Sequence, residues 1–350
     1  MAKLEDETSV GGGRRINAMR FMQLALAITV IFSLGYMYQF VSVSISLRSM
    51  ENTDKEEENG VVRNRVLGHS VLHLQGFEAG YKFISEYEVE VQGPLYIFVM
   101  SDVDENGKYW CPDCEQAKKP VMDAFNRAPR GSRLVEIRVG SHSYWSDYMN
   151  DFRQNQLFYL DHIPTLMRYE GGGNSSTMLT ESFCMDSALL EYVFKVNRPL
   201  AGAPNKNKVL TMYSPREVIN YLATYDNTYP LFMFFVSGYH DFNGRFWCPY
   251  CDRANVAVMH YYNYTAPDSA IMVRVIVADS YKQWKKADNP FKLVEEFQDK
   301  VPLRAVPFLV FIKKDVPANK ITTYQFMPDY SETRKLQTFF RNKPRIVRPK

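Results

Sequence analysis

The sequence predicts an α/β protein: two tandem layered domains behind one N-terminal transmembrane helix. Three observations carry this. A block at 93–114 returns at 229–251, so one unit is duplicated. In each unit, apolar runs of strand length alternate with helical patterns, as in α/β layering. An uncharged apolar stretch at 21–47 precedes both units.

That stretch comes after a short tail at 1–20 and holds no charge over 27 positions. Its most apolar part is about 20 residues long, enough to cross a bilayer as a helix. It exceeds a signal-peptide core of about 7–15 residues, so it reads as a retained signal anchor. The charged "ENTDKEEEN" that follows cannot pack as a domain interior, and 48–68 reads as a stalk. Arg14, Arg15 and Arg20 precede the span, while Arg48 and Lys55 follow it. The positive-inside rule then favours a lumenal or extracellular bulk. Arg63 and Arg65 add positive charge on the far side, so a cytosolic orientation stays open. Two sequons, at Asn174 and Asn263, are usable as glycosylation sites on the lumenal side.

The first domain is expected at 69–197, a Pro/Gly/Asn-rich linker at 198–208, the second domain at 209–343 and a basic, solvated tail at 344–350. The elements run in the same order in both copies. "LYIFVM" and "LFMFFV" are apolar on both faces, as central strands are. A polar, Gly-containing loop leads to "KYWCPDC" in one copy and "RFWCPYC" in the other. Cys114, Ala117, Val121 and Phe125 then form one helical stripe, and Cys251, Ala254, Val258 and Tyr261 form another. Second strands are expected at 134–139 and 271–278, strands opening on Pro164 and Pro307, and closing helices near 186–196 and 331–341.

A net charge of +3 on 350 residues argues against nucleic-acid binding as the main task. The five cysteines are Cys111, Cys114, Cys184, Cys248 and Cys251. Four of them form two C-x-x-C pairs, which points to local redox or metal chemistry. Each pair follows a strand and opens a helix. Free amides and the helix dipole there stabilise a thiolate and lower its pKa from about 8.5 toward neutrality. The second sulfur is placed to resolve a mixed disulfide. Pro112 and Pro249 suit the first helical position, and Trp110 and Trp247 shield the site. Cys111 and Cys248 are the candidate nucleophiles, Cys114 and Cys251 the resolving thiols. Asp113 places a negative charge beside the first helix start and Tyr250 does not, so Cys248 is expected to have the lower pKa.

Zinc is the rival reading. Ribbons space their pairs by about 15–20 residues, whereas here each pair sits in its own repeat. The six histidines show no ligand spacing, and paired thiols need no cofactor. Cys184 reads as a buried structural residue, and Tyr144, Trp145 and Trp284 as packing beside the sheet.

Trp before C-x-x-C, a helix behind it and an apolar-Pro strand 53 or 59 residues later resemble the thioredoxin superfamily. "WCPDC", "VGSHSYWSD", "NDFR", "IPTLMRYE" and "ESFCMDSALLEYVF" are similar to the fourteen-kilodalton thioredoxin-related (thioredoxin domain-containing) family. The second copy matches through "NGRFWCPYC", "VADSYKQW" and "AVPFLVFIKK". The resemblance implies two thioredoxin-like domains, each a central mixed sheet flanked by helices. It implies cis peptide bonds before Pro164 and Pro307, facing the sulfurs and a substrate strand. It also implies a protein-disulfide reductase type of thiol–disulfide oxidoreductase acting on protein or small-molecule disulfides. An external thiol reductant or oxidant would be the partner, thioredoxin reductase if the domains are cytosolic. The chain departs from thioredoxins in having no acid in the strand before either motif. Pro120 also lies one residue later than the kink proline, and the second copy has none. The competing expectation is a non-catalytic docking module of the secretory pathway; such domains usually lose cysteines, and here all four remain.

Overall fold

The computed structural model describes residues 63–66, 69–196, 204–295, 301 and 303–341. The expected anchor at 21–47, the tails at 1–20 and 344–350, and most of the stalk and linker lie outside the described residues. Among the described residues no helix is long and apolar enough to cross a membrane.

The first domain opens with strands β1 (Arg63–Val66) and β2 (His69–Gln75), so the sheet begins inside the stretch expected as stalk. Helix α1 (Gly76–Ser85) leads to β3 (Leu95–Met100) and α2 (Pro112–Phe125). Then follow β4 (Arg133–Arg138), β5 (Thr165–Gly171), β6 (Asn174–Thr180), a 3-10 turn at Glu181–Met185 and α3 (Ser187–Val193). The second domain repeats the plan with β7 (Lys208–Met212), α4 (Pro215–Thr224), β8 (Leu231–Val236) and α5 (Pro249–Thr265). It closes with β9 (Ile271–Ile276), β10 (Phe308–Asp315), β11 (Lys320–Gln325) and α6 (Thr333–Phe340).

Both sheets are mixed. The orders are β1-β2-β4-β3-β5-β6 and β11-β10-β8-β9-β7. Leaving β1 aside, the two orders are the same in topology. In each, the first three strands are parallel and the last two antiparallel. The apolar runs β3 and β8 are central, with all six side chains of each buried. Burying one such Leu, Ile or Phe contributes roughly 1.5–3 kcal/mol, so each of these strands anchors its domain. Both helices behind the motifs are continuous; Pro120 sits inside α2 without ending it.

The two domains are packed together. Helix α5 lies against β6 and α3 of the first domain. Arg253 pairs with Glu181 at 2.9 Å, and the Tyr261 hydroxyl donates to Asp186 at 2.7 Å. Tyr192 meets His260 edge-on at 5.5 Å. Arg245 is buried and donates to the carbonyls of Phe158 and Tyr159 at 2.7 and 3.0 Å.

Candidate active sites

The end of each central strand and the start of the following helix are brought together by one serine. Cys111 N–H donates to Ser101 Oγ, and Cys248 N–H to Ser237 Oγ, both at 3.2 Å. Ser101 N–H in turn donates to Cys114 Sγ at 3.3 Å. These serines follow "FVM" and "FFV" at matching places in both copies. They lie ten and eleven residues before the first cysteine of each motif, outside its reach, although they align between the two copies.

Cys111 is the N-cap of α2, and its sulfur accepts from Cys114 N–H at 3.4 Å. Cys248 takes the same position on α5. The bonds Ile163-Pro164 and Val306-Pro307 are cis. The Cys111 thiol faces the Ile163 carbonyl at 3.7 Å, and the Cys248 thiol faces the Val306 carbonyl at 3.6 Å. Trp110 and Trp247 are half-buried, and their indole N–H groups donate to Gly140 and Ala278 carbonyls at 2.9 Å. Pro112, Pro249 and Tyr250 are exposed, and Asp113 is half-buried.

The thiols of each pair diverge. The hydrogen bond from Cys114 lowers the Cys111 pKa to about 7, against burial, with help from backbone amides. Burial pushes the Cys114 thiol upward. Cys248 also falls to about 7, through Cys251, whose own pKa is raised by burial. The expected advantage of Cys248 is therefore not found. Asp113 opposes the Cys111 thiolate, but Asp252 opposes the Cys248 thiolate in the same way. Sequence reasoning looked only between the cysteines and passed over the residue after them.

Each site thus holds an ionisable, slightly accessible sulfur beside a protonated, buried one. That arrangement can attack a disulfide and then resolve the mixed disulfide. The two pairs belong to separate sheets, and among the described residues no group of three or more metal-ligating side chains is gathered. Cys184 is fully buried, its thiol facing the Leu179 carbonyl at 3.4 Å. Trp145 and Trp284 are buried under the cations Arg153 and Lys292, at 4.3 and 4.8 Å. Asn174 is exposed at the start of β6, whereas Asn263 is half-buried in the last turn of α5.

A second polar cluster lies in the first domain. Glu136, on β4, is almost fully buried and accepts from Tyr109 at 2.9 Å and from Arg138 at 3.2 Å. It also meets His73 at 3.3 Å. Burial pushes its carboxyl up, but His73 and Tyr109 outweigh that and hold it near 2. An acid inside a strand of otherwise apolar neighbours gave no motif to read.

Comparison with known proteins finds two matches to one family model, "Thioredoxin domain-containing protein 17-like, thioredoxin domain", at residues 73–196 and 214–327. Human thioredoxin domain-containing protein 17 is similar at 30% identity over 123 residues, covering 35% of this chain and 93% of that protein. The thioredoxin-like protein Clot of Oryza sativa subsp. japonica is similar at 27% over 100 residues, 27% of this chain and 72% of Clot. Among solved structures, full-length ERdj5 aligns over 74% of this chain at 9% identity and a TM-score of 0.29. The chain spans 31% of the length of ERdj5.

Proposed function

This chain belongs to the thioredoxin domain-containing protein 17-like family, and we propose that it is a membrane-anchored thiol–disulfide oxidoreductase with two dithiol centres. One observation carries the reading: in both domains, a cysteine at a helix N-cap faces the carbonyl before a cis proline with its thiol, beside a fully buried partner thiol.

The step balances with thiols alone. The Cys111 or Cys248 thiolate attacks one sulfur of a substrate disulfide, and the other sulfur leaves as a thiolate that takes a proton. Cys114 or Cys251 then loses its proton and attacks the mixed disulfide. The second substrate thiol is released and the protein pair closes as a disulfide. Two electrons have passed to substrate, and an external dithiol must return them. Run backwards, the same steps oxidise a substrate dithiol. No acid stands in β3 or β8 to take the resolving thiol's proton, so the leaving thiolate is the nearest acceptor in this scheme.

The anchor is proposed from the apolar stretch at 21–47, and the lumenal orientation from its flanking charges. Asn174 is the better placed of the two sequons, since Asn263 sits in a helix. Full chain in detergent is expected to catalyse disulfide reduction by dithiothreitol, and Cys111→Ser with Cys248→Ser to abolish it. Activity that survives the double substitution refutes the reading. Glycosidase-sensitive mass at Asn174 tests the orientation separately.

A further inference from the structure

Beside cis-Pro307 lies an open groove of about 480 Å³. Tyr250, Met327 and Tyr330 line it from the second domain, and Phe183 from the first. Val306, whose carbonyl faces Cys248 Sγ at 3.6 Å, is also part of the wall. Tyr330 is itself partly buried, and burial raises its hydroxyl pKa. Val306 and Tyr250 thus join the groove wall to the segment that carries the reacting sulfur. Tyr250 and Met327 are 68% and 76% exposed, so apolar surface is available to an occupant.

The charged groups at the groove are set by the domain junction. Arg253 lines the groove, pairs with Glu181 of the first domain at 2.9 Å, and lies over the Phe183 ring at 5.7 Å. Asp329 lines the groove on its other side and also feels the charge of Arg253. One cation thus stands against two carboxylates. Arg253 is thus already matched by Glu181, and Asp329 leaves a carboxylate on the groove wall.

We propose that this groove, closed by Phe183 of the first domain and with its Arg253 held by Glu181, makes the second centre select disulfides flanked by an aromatic or large apolar residue and disfavour acidic ones such as oxidised glutathione. This rests on the thiol–disulfide reading above. An aromatic side chain gains by covering Tyr250 and Met327, whereas a carboxylate there finds Arg253 already paired and meets the like charge of Asp329. The chemistry is unchanged: the Cys248 thiolate takes the flanked sulfur, the other substrate sulfur leaves as thiolate, and Cys251 resolves. The Cys-Pro-Tyr-Cys spelling alone does not disclose this, because Glu181 lies 67 residues upstream of Cys248.

The test uses full chain carrying Cys111→Ser and Cys114→Ser, pre-reduced and freed of reductant. Oxidation of the Cys248–Cys251 pair is followed by mass after acid quench. The probes are the disulfides of N-acetyl-Phe-Cys-amide and N-acetyl-Glu-Cys-amide, oxidised glutathione, and neutral bis(2-hydroxyethyl) disulfide. Each rate is divided by that of dithiothreitol with the same probe. The Phe probe is expected to lead the Glu probe and glutathione by about tenfold or more. Glu181→Gln with Asp329→Asn should cut that lead about tenfold, since the field then turns positive. Met327→Ser, on an exposed side chain, should lower the Phe probe several-fold relative to the neutral one. Equal normalised rates for all probes, or a lead unmoved by the charge variants, overturn the groove assignment while leaving oxidoreduction standing. No reaction even with the neutral disulfide overturns the oxidoreductase reading of this centre and the groove with it.

Discussion

A thiolate at Cys111 or at Cys248 forms against a nearby carboxylate, Asp113 in one domain and Asp252 in the other. The two acids differ in setting. Asp113 is half-buried beside the helix start, while burial lifts Asp252 to about 6 despite Arg245 nearby. Each carboxylate opposes the thiolate of its own centre, and both thiols settle near 7. Iodoacetamide alkylation of the reduced chain should therefore rise through pH 7 at both cysteines, followed peptide by peptide. Midpoints more than about one unit apart contradict this, because one unit is about 1.4 kcal/mol of unequal stabilisation. Asp113→Asn should move only the Cys111 midpoint, and downward. At this scale the cysteines, tryptophans and prolines were legible, since their chemistry depends on neighbours within a few positions. Ser101, Ser237 and Glu136 were not, because their roles come from what the fold sets beside them.

Elements meet most closely where β8 hands over to the motif loop. Gly238 N–H donates to the Ala278 carbonyl at 2.8 Å, and the Gly238 carbonyl accepts from Trp247 N–H at 3.0 Å. A Cβ at Gly238 would stand 2.8 Å from Ala278 O and 2.9 Å from Asp279 Cα, both backbone atoms that cannot swing away. Gly238→Ala is expected to destabilise the chain by about 1–3 kcal/mol through this overlap. It should also loosen Trp247, seen as a red shift in fluorescence. An unchanged melting temperature removes the argument. The central strands were readable from their apolar runs, and the expected apolar stripes lie on the motif helices, the second of which runs on to Thr265. The edge strands β6 "NSSTMLT" and β11 "KITTYQ" were not readable, since their many polar residues carry little hydrophobic pattern, although most of β6 is buried and β11 is largely exposed.

Across the whole molecule, the junction between domains is built from groups that tolerate burial poorly. His260, on α5, is buried, and neither ring nitrogen has a hydrogen-bond partner among the described residues. It stacks on Tyr264 at 4.5 Å and meets Tyr192 of the first domain. Burial lowers its pKa to about 4, against the pull of Asp186 and Glu191. Its folded value lies below the unfolded one of about 6.5. The neutral imidazole is therefore the form that fits. The associated stability is complete above pH 6.5 and is lost as pH falls toward 4, by up to about 3 kcal/mol. His260→Phe should flatten the fall in melting temperature between pH 7 and 5. Parallel curves for the two proteins reject a role for this imidazole.

Two cysteine pairs in two similar domains were determined by the sequence itself. A cysteine pair at a strand–helix junction is a local device: helix geometry and the dipole act over three or four residues, and duplication makes the pattern visible twice. The tertiary structure decided the rest. Arg245 reaching the Phe158 and Tyr159 carbonyls, and Arg253 of the groove pairing with Glu181 and lying over Phe183, join residues far apart in the chain. Such pairings depend on how two closed sheets pack. Hydrophobic periodicity reports only which side of an element faces inward, not what stands opposite it.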